Sequence, residues 1–193
     1  RECTGCCPTP KRPDTKREYV VALAGNANVG KRAPFNQLTG VDQDIGNWPG
    51  KTVERAEGLL QYRGQRVRVI DLPGIYSINA LSTEEQVSRE FIAHDHPDVV
   101  VNIIDASALE RNLFFTLQLA ELESPMILAL NQADIAAQKG IHIDTGKLSA
   151  LLGVPVIPTV AIQGKGIAEL SDAIIRAVHD RPKPHTIPYG KEV

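Results

Sequence analysis

The chain has 193 residues, of which 42% are apolar and 23% charged, and its formal net charge is −2. This balance fits one compact globular domain, excludes a disordered charged tail or a fibre, and gives no electrostatic reason to expect nucleic-acid binding. Its apolar runs are far shorter than the ~20 residues that cross a bilayer, and its 3 cysteines are an odd number that does not fit a secreted disulfide framework. A reducing, cytosolic environment is therefore predicted, and the function must come from local motifs.

The two ends of the chain are predicted to lie outside the domain. Residues 1–18 combine prolines and basic side chains without apolar periodicity, which is typical of a mobile leader. Cys3, Cys6 and Cys7 in this leader have a spacing compatible with a soft metal or a disulfide, and equally with an incidental feature. Residues 180–193 carry 3 prolines and are predicted to be a linker toward a further domain. Residues 19–179 form the predicted domain.

Within that domain, short apolar runs alternate with amphipathic segments, which predicts a parallel sheet covered by helices on both faces. Strands are predicted at residues 19–24, 53–62, 65–70, 99–105, 126–131 and 156–160. Helices are predicted at residues 31–38, 82–94, 110–122, 148–152 and 167–178, and residues 41–51 as a long polar loop. Because only Arg63 and Gly64 separate the second and third strands, these two should pair as an antiparallel hairpin. The expected sheet thus has six strands, one of them antiparallel, with about five helices.

A glycine-rich loop follows the first strand and precedes the first helix. Gly25, Gly30 and Lys31 have the G-x-x-x-x-G-K spacing whose backbone N–H groups surround nucleotide phosphates. A plain glycine turn with a surface lysine is the alternative. The residues predicted to line the phosphates are Gly25, Asn26, Ala27, Asn28, Val29, Gly30, Lys31, Arg32 and Ala33.

Arg32 occupies the position where magnesium-binding loops carry a serine or threonine hydroxyl. A guanidinium cannot ligate a cation. It can lie on a phosphate and partly substitute for the charge of the metal, or it can turn to solvent. Pro34 is tolerated because it falls in the first turn of the helix. The fold should therefore survive, whereas magnesium-assisted hydrolysis should be weakened.

The third strand is followed by the sequence DLPG. Asp71 lies at the strand end, where its carboxylate can hold a magnesium-bound water, and the N–H of Gly74 can face the terminal phosphate. A proline-glycine turn is the alternative interpretation of this short string. The next residue is Ile75, where Ras-like enzymes have a water-orienting glutamine, so hydrolysis should be slow.

The polar loop before the second strand supplies two further candidates. Thr52 is predicted to be a switch threonine that reaches the metal and the terminal phosphate, with an ordinary strand-start threonine as the alternative. Lys31, Thr52 and Gly74 are thus the predicted catalytic residues. Trp48 is predicted to be a mobile surface tryptophan rather than a core aromatic, because glycine and proline surround it.

Two later motifs indicate the choice of base. Asn131, Gln132 and Asp134 form an NxxD string, and its final carboxylate can accept from the N1–H and 2-amino groups of guanine. A helix N-cap aspartate is the alternative. Backbone N–H groups at Val160 and Ala161 are candidates for contacting the guanine oxygen. Because every motif follows a predicted strand, at the edge where open α/β sheets bind ligands, the order predicts a guanine-nucleotide site.

The strings GNWPGKTVERAEG at 46–58, VIDLPGIYS at 69–77 and LERNL within 97–119 carry a resemblance. They are similar to the cytosolic G domain of the FeoB ferrous iron transporters, over residues 19–178. The resemblance implies a P-loop GTPase fold of the Ras-like type, with GTP binding and slow hydrolysis that regulates iron uptake. It also implies that the soluble domain lies at the cytoplasmic face of the cell membrane, with the membrane domain of the same polypeptide as partner. A second copy of the chain is a further candidate partner.

The same resemblance implies the cofactors. These are GTP or GDP, magnesium held by Thr52 and through water by Asp71, and potassium coordinated by Asn28. Arg32 departs from the serine or threonine of the family and weakens the magnesium site. Two alternatives to a GTPase therefore stay open: a nucleotide-binding switch with little or no hydrolysis, and a degenerate interaction domain.

Overall fold

The computed structural model describes residues 18–40, 43–75 and 82–180. In these ranges the strands are β1 (Tyr19–Gly25), β2 (Gln43–Asn47), β3 (Glu54–Tyr62), β4 (Gln65–Asp71), β5 (Val99–Asp105), β6 (Met126–Asn131) and β7 (Val156–Pro158). The α-helices are α1 (Arg32–Thr39), α2 (Thr83–Glu90), α3 (Leu109–Ala120), α4 (Ala133–Gln138), α5 (Thr145–Leu152) and α6 (Ile167–Asp180). The three cysteines lie outside the described residues, as do the predicted leader and linker except for their innermost residues.

The strands form one sheet in the order β2-β3-β4-β1-β5-β6-β7. β3 pairs antiparallel with both β2 and β4, while the remaining pairs are parallel, so β3 alone runs against the others. The predicted mostly parallel sheet with one antiparallel strand is confirmed. The predicted count of six strands is wrong, because the described sheet has 7.

The additional strand is β2, which the sequence predicts as part of a polar loop. It lies at the edge of the sheet and pairs only with β3, from Gln43 opposite Gly58 to Asn47 opposite Glu54. Four of its five residues are exposed, so no alternation of apolar and polar side chains marks it. An edge strand held by backbone pairing alone leaves no burial pattern in the sequence.

The central strands are buried on both faces, as their continuous apolar sequences predict. In β1, Val21 and Leu23 face the layer that contains α1 and α6, whereas Ala22 and Ala24 face the layer formed by α2, α3, α4 and α5. The main side chains of the first layer are Phe35, Leu38, Leu170, Ile174 and Val178. Those of the second include Phe91, Ile92, Phe115, Leu119, Ala136 and Leu152. The three-layer arrangement is the predicted α/β architecture.

Local sequence sets the start of α2. A capping box begins α2: the Glu85 N–H donates to Ser82 Oγ at 3.1 Å, and the Ser82 N–H donates to Glu85 Oε2 at 3.2 Å. The helix then continues beyond α2 as one π-helical turn over Phe91–Asp95.

The sequence does not predict α4, whose 6 residues are too few to show a helical apolar period. No helix in the described part of the chain is long and apolar enough to cross a bilayer.

Parallel pairing brings the motif loops to one edge of the sheet. The Leu72 N–H donates to the Leu23 carbonyl at 3.0 Å, which extends the pairing of β1 with β4 beyond its last residues. The Thr159 N–H donates to the Leu130 carbonyl at 2.8 Å and does the same for β6 and β7. The loops after β1, β4, β6 and β7 therefore begin from a fixed frame, where ligands bind in sheets of this kind.

The surroundings of Gly166 show that the loop after β7 is tightly packed. It has φ of 78°, and a Cβ there would lie 2.2 Å from the Pro158 carbonyl oxygen. Gly140 has a similar φ of 70° with open space around it. Both alanine variants gain left-handed strain of about 1 kcal/mol, but only Gly166→Ala also displaces backbone. We expect Gly166→Ala to lower the free energy of unfolding in urea by at least about 2 kcal/mol more than Gly140→Ala. Equal losses would contradict this packing.

Candidate functional site

The phosphate loop, residues 25–31, connects β1 to α1 with little room at either glycine. A Cβ on Gly25 would lie 2.5 Å from the Ile103 carbonyl oxygen, so the loop starts in contact with β5. Gly30 has φ of 75°, and a Cβ on it would lie 3.1 Å from Asn131 Nδ2. Asn28 also has a positive φ, 69°, which is uncommon for a residue with a side chain. The two motif glycines thus allow the close approaches that the loop makes.

Lys31 links the phosphate loop to the end of β4. Its ammonium donates to Asp71 Oδ1 at 2.5 Å and also to the Leu72 carbonyl oxygen. The two charged side chains are only 11% and 13% exposed. The structure therefore brings together the lysine of the first motif and the carboxylate of the second, and Leu72 is a lysine partner that the sequence did not indicate.

Burial raises the pKa of the Asp71 carboxyl above its ordinary value. The ammonium of Lys31 and, more weakly, the charge of Arg32 act in the opposite direction and lower the pKa. The carboxyl loses more by leaving water than it regains from its cationic neighbours. Arg32 is exposed at the start of α1, yet its charge still acts on Asp71.

Gly74 lies directly against the phosphate loop. A Cβ on Gly74 would lie 3.2 Å from the Ala27 Cα, and the Ile75 N–H donates to the Gly25 carbonyl at 3.3 Å. Asn26, on the same side of the loop, is buried at 3% exposure. The DLPG segment and the phosphate loop are therefore in contact along their backbones, as the shared sheet edge predicts.

Asn131 connects three loops through one buried side chain. Its Nδ2 donates to the Val29 carbonyl at 3.1 Å, which fixes it to the phosphate loop. Its Oδ1 accepts from the Ala161 N–H at 3.2 Å and from Thr159 Oγ1 at 3.3 Å, which fixes the loop after β7. The sequence indicated Asn131 only as part of the NxxD string, so this joining role is a structural finding.

The neighbouring base-loop residues, 132–134, turn sharply from β6 into α4. Gln132 has φ of 59° and lies within reach of Gly30, with its Nε2 3.4 Å from a Cβ placed there. Asp134 Oδ2 accepts from Gln163 Nε2 at 3.4 Å. Gln163 is a contact that sequence reasoning missed, because it lies in a separate loop after β7.

The two backbone donors predicted to contact guanine are engaged within the chain. The Val160 N–H donates to the Lys165 carbonyl at 3.0 Å, and the Ala161 N–H donates to Asn131 Oδ1 at 3.2 Å. The roles of Val160, Ala161 and Asp134 in base selection stay predictions.

The turn between β2 and β3, residues 48–53, contacts the end of α2. The Trp48 ring packs edge-on against Phe91, with centroids 5.4 Å apart, and the Arg55 guanidinium lies 5.1 Å from the Trp48 centroid. Lys51 Nζ pairs with Glu90 Oε2 at 2.8 Å. The prediction of a mobile surface tryptophan is wrong, since Trp48 is partly buried against the core. Its aromatic and ionic partners are distant in sequence and gave no local signal.

Thr52 lies exposed in this β2–β3 turn. The Trp48 N–H donates to the Val53 carbonyl at 2.9 Å and closes the turn around it. Among the residues that the structure describes, no hydrogen bond joins Thr52 to the phosphate loop. Its role as a switch threonine stays a prediction.

The side chains present do not fit a magnesium ion. Such an ion at a bound triphosphate uses a hydroxyl at the first helical position and a carboxylate at a strand end. The first position of α1 is Arg32, which has no acceptor atom. Asp71 Oδ1 is already held by the Lys31 ammonium. The hydroxyl ligand is therefore missing at the helix start, and one oxygen of the carboxylate ligand is already held by an ammonium.

Most of the chain is similar to known ferrous iron transport proteins. The family model described as "Ferrous iron transport protein B" matches residues 19–174. One curated relative, the Fe(2+) transporter FeoB of Shigella flexneri, is 47% identical over 164 residues, which are 83% of this chain and 21% of the relative. The chain thus spans about a fifth of the length of the curated relatives that it matches.

Solved structures agree with the family match. A mutant of S. thermophilus NFeoB bound to GDP aligns with a TM-score of 0.83 at 38% identity, covering 90% of this chain and 67% of that one. The cytosolic domain of the T. maritima FeoB iron transporter in its GMPPNP form aligns with a TM-score of 0.84 at 36% identity, covering 90% and 69%. The sheet described above is therefore the G-domain fold of these proteins.

The pair of Lys31 and Asp71 leads to a pH-dependent prediction. In Lys31→Met the lowering of the Asp71 pKa by the ammonium is lost, so burial raises that pKa further. In this variant the folded-state pKa of Asp71 lies further above its unfolded-state pKa. The protonated carboxyl therefore stabilises the fold at low pH. This contribution is lost as the pH rises through the folded-state pKa.

The measurement is a carboxyl carbon NMR titration, with Lys51→Met as a control, since Lys51 pairs with Glu90 instead. The control should leave the Asp71 pKa where it is in the unaltered chain. An unchanged Asp71 pKa in Lys31→Met would show that the ion pair is not formed in solution.

Proposed function

The chain belongs to the ferrous iron transport protein B family, and from this membership we propose that it binds GTP and GDP and hydrolyses GTP slowly. The observation that carries the proposal is the hydrogen bonding of Asn131. A single buried amide ties the phosphate loop at Val29 to the loop after β7 at Ala161. Phosphate-binding and base-selecting segments are thereby held at a fixed separation, which a nucleotide-binding protein requires.

The phosphates are proposed to bind at residues 25–33. Backbone N–H groups of the loop and of the first turn of α1 point toward the bound anion. Lys31 supplies the mobile positive charge and exchanges its contact with Asp71 for the outer phosphates. Gly74, in contact with Ala27, presents a backbone N–H to the terminal phosphate.

The base is proposed to be selected by Asp134. Its carboxylate accepts hydrogen bonds from the N1–H and the 2-amino group of guanine, a pattern that adenine does not offer. The contact from Gln163 is long, at 3.4 Å, so guanine can replace it at little cost. Gln132 packs along the base. Val160 and Ala161 shape this end of the pocket through backbone donors that stay bonded within the chain.

Turnover is proposed to be slow because two groups of a fast enzyme are replaced. Ile75 cannot orient water as a glutamine does, and Arg32 removes a hydroxyl ligand. Thr52 takes part only if the β2–β3 turn leaves the end of α2. A nucleotide switch with little or no hydrolysis is the second candidate, favoured specifically by Arg32. A degenerate interaction domain is the third.

Potassium is proposed as a monovalent ion coordinated by Asn28. Asn28 is exposed on the phosphate loop with φ of 69°, so its side-chain oxygen is available to a cation next to the phosphates. Oxygen atoms of this kind suit hard cations. The ion would supply positive charge beside the phosphates when bound.

In the whole protein, the domain is proposed to act on the membrane part of the same polypeptide. The curated relatives are Fe(2+) transporters about five times as long as the matched region. We infer that residues 19–179 lie at the cytoplasmic face of the membrane, with ferrous iron as cargo of the membrane part. Residues 180–193 are proposed to be a linker toward a helical domain that precedes the membrane part, and the nucleotide state would regulate iron passage.

Base selection is tested by Asp134→Asn. An amide can donate to the 2-oxygen of xanthine but cannot accept both guanine donors, so affinity for a labelled GTP analogue should fall about 10- to 100-fold. Affinity for the xanthine analogue should rise. Fluorescence titration measures both, with labelled ATP and Asp172→Asn as controls. Unchanged guanine affinity in Asp134→Asn would overturn this assignment.

The potassium site is tested by Asn28→Ala. Phosphate release should be faster in potassium than in sodium for the unaltered chain, and Asn28→Ala should lose that difference while its GDP affinity stays within about 2-fold. Asn36→Ala, an exposed asparagine on α1, is the matched control and should retain the potassium effect. A potassium effect that survives in Asn28→Ala would place the ion elsewhere.

A further inference from the structure

We propose that Arg32 replaces magnesium in this chain: its guanidinium, together with Lys31, neutralises the outer phosphates, so guanine nucleotides bind without a divalent cation. This inference rests on the proposed function and concerns the same phosphate loop. It names the group that supplies the positive charge there. It also reverses the expectation for a G domain, in which the metal supplies much of that charge.

The position of Arg32 is the first observation. It is the first residue of α1, directly after Lys31, and its side chain is exposed. The described residues show no acidic side chain in the first turn of α1, and no side-chain cap from Lys31. A phosphate at this helix start would meet the positive end of the helix dipole and the exposed side chain of Arg32. Arginine can bind phosphate oxygens through two parallel N–H bonds.

The charge balance near Asp71 is the second observation. Asp71 carries one negative charge, whereas Lys31 and Arg32 carry two positive charges between them. The Asp71 carboxylate already pairs with the Lys31 ammonium. The charge of Arg32 also acts on this carboxyl. A divalent ion would enter a region with more cationic than anionic side chains, and it would find no hydroxyl ligand at the first position of α1. A phosphate, by contrast, supplies the negative charge that this cluster lacks.

The test measures nucleotide affinity with magnesium and with chelator. Labelled GDP and a labelled non-hydrolysable GTP analogue are titrated into the full chain and into Arg32→Thr, Arg32→Ala and Arg63→Ala. Arg63 is an exposed arginine of the β3–β4 turn, so its variant controls for the loss of one positive charge. Circular dichroism confirms that each variant is folded.

The unaltered chain and Arg63→Ala should bind equally, within about 2-fold, in both buffers. Arg32→Ala should bind about 10- to 100-fold more weakly in both, because a charge-assisted hydrogen-bonded contact is lost. Arg32→Thr should bind weakly with chelator and gain at least about 10-fold with magnesium, because its hydroxyl restores the ligand.

Equilibrium dialysis of manganese, a paramagnetic substitute for magnesium, gives a readout independent of affinity. With saturating GDP analogue, Arg32→Thr should retain manganese with the protein, whereas the unaltered chain should retain only what free nucleotide accounts for. Retention of manganese by the unaltered chain would overturn the inference. So would a tenfold loss of its affinity on chelation, or tight binding by Arg32→Ala.

Failure of this inference differs from failure of the proposed function. If Arg32→Thr binds guanine nucleotide with magnesium and the unaltered chain binds none, the loop is a nucleotide site and Arg32 blocks it, so this inference alone is wrong. If no variant binds guanine nucleotide in either buffer, the proposed function is wrong and the inference falls with it.

Discussion

The buried side chain of Asn131 is the contact on which the arrangement of the site depends. Its amide nitrogen holds the Val29 carbonyl, and its oxygen holds Thr159 and Ala161. Donor and acceptor ends are both used at 4% exposure, so a side chain without either atom would leave buried backbone groups unpaired. The phosphate loop and the loop after β7 therefore keep a common geometry before any ligand arrives, which lowers the conformational cost of binding.

The strands of the sheet differ in burial on the two sides of the site: the central strands are buried, whereas the edge strand β2 is largely exposed. β1, β5 and β6 are buried on both faces, and their ends carry the phosphate and base loops. β2 is exposed and pairs with one neighbour only. Local stability follows buried apolar contact, so the two sides of the site differ in how readily they open. Asn131 and Asp134 lie on the more buried side, and Thr52 lies on the more exposed side.

Continuous apolar strands and glycine-rich turns made most of the fold and the joint order of the motifs predictable. The contact of Lys31 with Asp71 and that of Gly74 with Ala27 follow from parallel strands ending at one edge. The edge strand β2 was missed because backbone pairing without burial leaves no pattern. Trp48 was misjudged because its partner, Phe91, is remote in sequence, and a local window cannot register it. The contact between Gln163 and Asp134 is not predictable from the sequence for the same reason.

Two contacts join the β2–β3 turn to the end of α2: the Trp48 ring packs against Phe91, and Lys51 forms an ion pair with Glu90. Thr52 lies in the same turn, so a movement that carried the turn toward the phosphate loop would break these contacts or move the end of α2 as well. An aromatic pair and a partly exposed ion pair together contribute only about 1–2 kcal/mol to holding the turn against α2. A ligand with a modest preference for one position can therefore tip the balance. A ligand that moved this turn would therefore also shift the end of α2 and change the surface around that helix.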